Sequence, residues 1–131
     1  MKILEEVIFN IRPVPKPRMT RADKWKKRPV VEKYYSFKDN LNLQADLMNF
    51  KLPHKLSIDF HIEMPISWSK KRKEELLGKP HQNKPDIDNL GKAFLDALVC
   101  EDMEVYDLHL RKFWNNENLI IVRYEKADGS K

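Results

Sequence analysis

The chain has 131 residues, of which 41% are apolar and 34% charged, with three Trp, four Tyr and six Phe. That is enough for one domain with a substantial core, and too apolar for a disordered tail. Its net charge of +5 suits a polyanionic partner, while the single cysteine, Cys100, excludes a disulfide-stapled fold.

Glu6 to Ile11 alternates, with Val7, Phe9 and Ile11 on one side, and predicts a first strand. Pro13, Pro15 and Pro17 exclude both helix and central strand, so a basic, mobile loop is expected over 12–35. Ser36 and Asp39 have the spacing of a capping box for a helix that presents Phe37, Leu41, Ala45 and Met48 on one face and ends before Pro53. Leu56 to Met64 alternates strictly, with Ser57, Asp59, His61 and Glu63 on its polar side, as in an antiparallel strand with one solvated or site-facing surface. Lys70 to Leu77 predicts a short basic helix stopped by Gly78 and Pro80. After Lys84-Pro85-Asp86-Ile87-Asp88-Asn89 comes a helix with Ile87, Leu90, Phe94, Ala97 and Leu98 as its apolar stripe. Val105 to Phe113 alternates again, Asn115-Asn116 supplies a turn, and Leu119 to Val122 is a buried-looking strand. The fold class is α+β: a single domain, 1–131, with a mixed β-sheet and flanking helices in the order β-α-β-(α)-α-β-β. No apolar run approaches ~18 residues. Met1-Lys2-Ile3-Leu4 runs straight into Glu5-Glu6 with no signal peptide, so the expected compartment is the cytoplasm and no membrane partner is expected.

The charge is unevenly placed. Arg12 to Lys38 holds ten basic residues against Asp23 and Glu32, a balance of +8, and Trp68 to Lys84 holds six against Glu74 and Glu75, a balance of +4. Asp86 to Asp107 reverses the sign, with seven acids and Lys92, a balance of −6. The first block interleaves Trp25, Tyr34 and Tyr35 with cations, a composition that fits phosphate contacts and stacking on an exposed base. The candidate DNA-binding residues are Lys16, Arg18, Arg21, Lys24, Lys26, Lys27, Arg28, Lys70, Lys71, Arg72 and Lys84. The bland alternative is a solvated basic surface with no specific task.

Asp86, Asp88 and Asp102 are the candidate metal ligands. In an extended segment, residues two apart point to one side, so Asp86 and Asp88 can converge; Asp102 joins them if the following strand returns beside the helix start. Converging carboxylates call for a hard cation, Mg²⁺ or Mn²⁺, held through oxygen. Lys92, between Asp88 and Asp96 at i, i+4 spacing, is the one cation of the acidic block. Singly, each has an ordinary explanation: Asp86 or Asp88 as a helix N-cap, Lys92 in surface pairs, Glu101-Asp102 as a polar loop. The four histidines lack metal-ligand spacing, and no P-loop, dinucleotide fingerprint or nucleophile elbow is present.

Lys84-Pro-Asp-Ile-Asp-Asn-Leu-Gly-Lys-Ala-Phe-Leu-Asp-Ala-Leu98, followed by Glu101-Asp102-Met-Glu-Val105, resembles the signature of the RusA family of Holliday junction resolvases, often encoded by phages and prophages. Pro13 to Arg18, Met64-Pro65 and Ser67 to Lys70 resemble it as well. The chain departs from the pattern in having Glu101-Asp102 where two aspartates are usual, and a shortened 98–101 segment without glycine. The resemblance implies a homodimeric, Mg²⁺-dependent endonuclease that nicks branched DNA, the four-way junction, symmetrically in recombination and repair, with Mn²⁺ able to substitute and no organic cofactor. It implies Asp86, Asp88 and Asp102 as metal-binding catalytic carboxylates and Lys92 as the catalytic-site lysine, with Glu101 or Glu104 as possible sharers of the role of Asp102. The competing expectations are a non-catalytic basic nucleic-acid-binding protein and a nuclease for other branched or duplex DNA.

Overall fold

The computed structural model describes residues 2–18, 28–98 and 104–127. Among them the order is β1 (Lys2–Phe9), α1 (Pro29–Leu47), β2 (Lys55–Glu63), α2 (Lys70–Leu76), α3 (Ile87–Leu98), β3 (Asp107–Asn115) and β4 (Leu119–Ala127), which is the expected order and the expected α+β class. The sheet runs β1-β4-β2-β3. β4 pairs antiparallel with both β1 and β2, while β2 and β3 are parallel. Parallel neighbours need a long crossover, and α2 and α3 supply it.

Alternation divides the sheet into two faces. Phe9, Ile58, Phe60, Ile120 and Val122 form the inner face and pack with Tyr34, Phe37, Leu41 and Ala45 of α1 and with Leu90, Ala93, Phe94 and Ala97 of α3. The Phe9 ring meets Phe50 and Phe94 edge-on at centroid distances of 5.4 and 5.9 Å. Each large side chain fully withdrawn from water here contributes about 1.5–3 kcal/mol. Gly91 lets α3 lie directly on β3: a Cβ there would stand 2.6 Å from Leu110 Cδ1. The outer face carries an ionic knot. The buried Asp59 accepts from Arg111 Nε and Nη2 (2.8 and 2.9 Å) and from Arg123, whose Nε also donates to Glu6 at 2.8 Å.

Several boundaries differ from the expected ones. β1 lies earlier than Glu6–Ile11, because its partner β4 continues to Ala127 rather than stopping at Val122 and pairs it back to Lys2. The loop expected over 12–35 divides in three. Residues 12–18 have no regular secondary structure and are bonded to the body at Lys16; residues 19–27 lie outside the described residues; residues 29–35 are helical. α1 starts at Pro29, where a missing N–H costs nothing in the first turn. Val31 and Tyr34 extend the buried stripe of Phe37, Leu41 and Ala45 by two turns. The Ser36–Asp39 pair is therefore interior to the helix, and Met48 caps its end, 43% exposed. β2 is a central strand, antiparallel on one side only, and its Asp59 is buried rather than solvated.

Candidate active site

Pro85, joined to Lys84 by a cis bond, stands just before α3, whose buried stripe starts at Leu90. The Asp86 carbonyl accepts from Leu90 N–H at 3.2 Å, which makes Asp86 the last residue before the helix and leaves Asp88 inside its first turn. The extended geometry expected across Asp86–Asp88 thus ends at Asp86. Both aspartates stand at the N-terminal end of the helix, where its dipole is positive. Both are exposed, and among the described residues no hydrogen bond or ion pair takes up either carboxylate. At α2 the start is capped by Ser69 Oγ, which accepts from Arg72 N–H at 3.2 Å; among the described residues neither the Asp86 nor the Asp88 side chain makes such a bond.

Behind this turn stands Lys112, a residue that its place in the sequence does not single out. Its Nζ donates to the carbonyls of Asn83 and Pro85, both at 2.7 Å. Burial draws the ammonium below its usual pKa, and the charge of Asp86 opposes that effect. The available signal is parity, since Lys112 shares the inward side of β3 with Leu108, Leu110 and Trp114.

A cleft of about 1150 Å³ opens in front of the turn, between residues 10–16, the first half of α1 and residues 84–89. Arg12, Lys16, Lys33, Lys84, Asp86 and Asn89 all line it. Its proline-rich wall is tied down. Asn10 N–H donates to Gln44 Oε1 and Gln44 Nε2 donates back to the Asn10 carbonyl, both at 3.0 Å. Lys16 N–H donates to the Asn89 carbonyl at 3.0 Å, and the Lys16 ammonium pairs with Asp96. Asp96 also accepts from Tyr34, whose hydroxyl pKa is raised by burial first and by Asp96 next. The expected Asp88–Lys92–Asp96 row is therefore broken, because Asp96 is turned to Lys16. Lys92 is exposed one turn beyond Asp88.

The second basic element, α2, sits at the same end of the sheet. The chain leaves β2 at Glu63 and returns along the edge of β3. Gly78 N–H bonds the Trp114 carbonyl, Trp114 N–H that of Lys79, and His81 N–H that of Lys112, at 2.9, 3.0 and 3.1 Å. The Arg72 guanidinium lies over the Trp68 ring at 4.0 Å, Trp68 against Trp114 at 4.7 Å, and His81 against Trp114 at 4.0 Å. Lys70, Lys71 and Arg72 are exposed. Burial first, then the charge of Lys112, hold the buried His81 below the ordinary imidazole pKa, against hydrogen bonds at the main chain of His81 and Asn83.

Of the predicted residues, Asp86, Lys84 and Lys16 share the cleft, and Asp88 and Lys92 lie on the helix beside it. The Arg18 carbonyl accepts from Arg28 Nη2 at 2.7 Å. Arg21, Lys24, Lys26, Lys27, Glu101 and Asp102 lie outside the described residues. Glu104 is placed elsewhere: it faces His54 at 4.0 Å, just before β2 begins. Asp86 shares the cleft with Ile62 near the end of that strand. Seven residues of strand, roughly 23 Å, lie between His54 and Ile62 along β2. Among the described residues no three His, Cys, Asp or Glu groups are close enough to hold a metal ion. The described donor set is two free carboxylates, whose hard oxygens fit Mg²⁺ or Mn²⁺ and leave positions for water and phosphate. None of the described helices is long and apolar enough to cross a membrane.

A family model described as Endodeoxyribonuclease RusA matches residues 10–125. No curated protein matches the chain.

Proposed function

Because the chain belongs to the RusA endodeoxyribonuclease family, we propose that it is a Mg²⁺-dependent endonuclease that resolves four-way DNA junctions by paired symmetric nicks. The observation that carries this reading is the pair of exposed carboxylates at the start of α3, without partners among the described residues, one of which, Asp86, lines a cleft together with Arg12, Lys16, Lys33 and Lys84. A nucleic-acid surface has no use for bare carboxylates beside its phosphate contacts; a hydrolytic site does. Asp86 and Asp88, joined by Asp102, would hold the metal, which when bound supplies an activated water and offsets charge developing on the phosphate.

The chain's own groups do the rest. A carboxylate such as that of Asp102 would also accept the proton of the attacking water. Lys92, one turn from Asp88, would offset the negative charge that grows on the phosphate. Lys84, Lys33 and Arg12 hold the scissile strand by its phosphates, and Lys70, Lys71 and Arg72 hold a flanking segment at the same end of the sheet. Those contacts read shape and charge rather than sequence. A four-way junction is nearly two-fold symmetric, and a C₂ homodimer presents one site to each strand to be cut.

The test is cleavage of a synthetic four-way junction beside a linear duplex of the same sequence, with Mg²⁺ and with a chelator. Paired nicks in the junction, abolished by the chelator, are expected. Metal-dependent cutting of both substrates alike points to a less selective nuclease. Binding without cutting reduces the chain to a nucleic-acid-binding protein.

A further inference from the structure

Lys112 is out of place in its strand. Its neighbours of like parity, Leu108, Leu110 and Trp114, face the helices, and an ammonium among them loses hydration. The ordinary reason to put it there is a carboxylate partner, yet Lys112 forms no ion pair among the described residues. Two of its three N–H donors go to main-chain carbonyls two residues apart, Asn83 and Pro85, at 2.7 Å each. These carbonyls belong to the segment that delivers Asp86 to the helix start. His81, at the other end of that segment, is fixed by its N–H to the Lys112 carbonyl at 3.1 Å and by its ring against Trp114. The 81–86 segment is therefore bonded to β3 through one residue, by its main chain at one end and by its side chain at the other.

We propose that Lys112 is a positioning residue of the nuclease site: its ammonium clamps the Asn83 and Pro85 carbonyls and so fixes the place from which Asp86 offers its carboxylate to the divalent cation. The inference rests on the metal-nuclease reading of Asp86 and Asp88. Charge alone and positioning predict opposite signs. A cation near the metal repels it, so deleting Lys112 for its charge alone tightens metal binding. Deleting a clamp loosens the ligand and weakens binding, although the repulsion is gone.

The experiment compares wild type with Lys112→Met, which keeps the apolar stem, and Lys112→Arg, which keeps the charge and donors. Mn²⁺ binding to the DNA-free protein is followed by electron paramagnetic resonance, and amide exchange of peptides covering 82–90 by mass spectrometry. We expect Lys112→Met to bind Mn²⁺ about 10-fold more weakly, the usual scale for removing a group that orients a metal ligand. Exchange over 82–90 should accelerate while the rest of the chain keeps its protection, and Lys112→Arg should recover most of both. Should Lys112→Met fail to fold, Lys112→Gln, which is neutral and shorter and keeps two of the three N–H donors, takes its place. Equal or tighter Mn²⁺ binding by the neutral variant, or unchanged exchange over 82–90, overturns the proposal. Absence of Mn²⁺ binding by the wild type instead strikes the metal reading itself, and the exchange comparison then decides on the clamp alone.

Discussion

Asp59 and Lys112 sit on adjacent strands of one sheet, and each departs from what its neighbours in sequence suggest. Asp59 is part of the polar row Ser57, Asp59, His61, Glu63, yet three guanidinium nitrogens surround it on the outer face. A carboxylate held by two arginines raises the pKa of Arg123, with the Asp59 hydrogen bond the largest cause. Removing it by Asp59→Ala strands positive charge, which costs about 3–5 kcal/mol when fully buried. Arg111 keeps more than half of its side chain in water, so about 2 kcal/mol is expected here. Urea unfolding measures that loss, and junction cleavage at room temperature should be unchanged, because the network lies on the face away from the cleft. Reduced cleavage at full stability would mean that the outer face takes part in catalysis. Protons supply a second test at this scale. Burial first holds both His61 and His81 below the usual imidazole value of 6.5, with Arg123 and Arg111 adding to it at His61 and Lys112 at His81. The unfolded chain therefore takes up these protons before the folded protein does. Their contribution is fully present above pH 6.5 and declines as pH falls from there toward the folded values. Each ring steepens that fall by at most ~1.4 kcal/mol per pH unit. Unfolding free energies measured at several pH values from about one unit above the usual imidazole pKa to one unit below it should decline. His81→Phe should flatten the decline; an unchanged slope in that variant would remove His81 from the account.

Helix α3 is legible in the sequence because its apolar residues repeat with a helical period and its polar residues occupy the remaining face. Helix α1 is only partly so. Pro29-Val-Val-Glu-Lys-Tyr-Tyr35 is rich in β-branched and aromatic residues and sits in a run of cations. Its helicity comes from burying Val31 and Tyr34 against the body, a tertiary gain that local propensity does not contain. Asp86 and Asp88 stand out in the sequence by residue type, although their extended spacing does not survive the helix start at Ile87, whereas Lys112 does not stand out, because a lysine in an alternating strand reads as solvent-facing until the register is known. The diversion of Asp96 to Lys16 is equally hidden, since it depends on where residues 10–16 cross α3. The basic helix α2 carries its own prediction. Lys70, Lys71 and Arg72 replaced together by Ala keep the helix, and each phosphate left without its cation lowers the salt slope by about 0.9. A plot of log affinity for the junction against log salt concentration should flatten by about 2–3 if all three residues bind phosphates. An unchanged slope would mean that α2 lies off the DNA path.

At the scale of the whole molecule, the cleft, the start of α3 and α2 all gather at the end of the sheet where β2 and β3 finish, and the proposed function assigns DNA contact to that end. Two nicks at a two-fold symmetric junction require two such faces, and a dimer of twice 15.7 kDa is expected. Sedimentation should give that mass at micromolar concentration or on adding junction DNA; a species of one chain under both conditions would contradict it. The central claim is that the acidic residues around α3 bind a catalytic metal, and substitution by asparagine tests it most directly. Asparagine keeps the size of aspartate and its capacity to cap a helix. It coordinates Mg²⁺ weakly and takes no proton from water. Asp88→Asn and Asp102→Asn, each made alone, should fold, should bind a four-way junction as well as wild type or more tightly for want of a negative charge, and should fail to cut it at any Mg²⁺ or Mn²⁺ concentration. Near-normal cleavage by both variants would contradict the account.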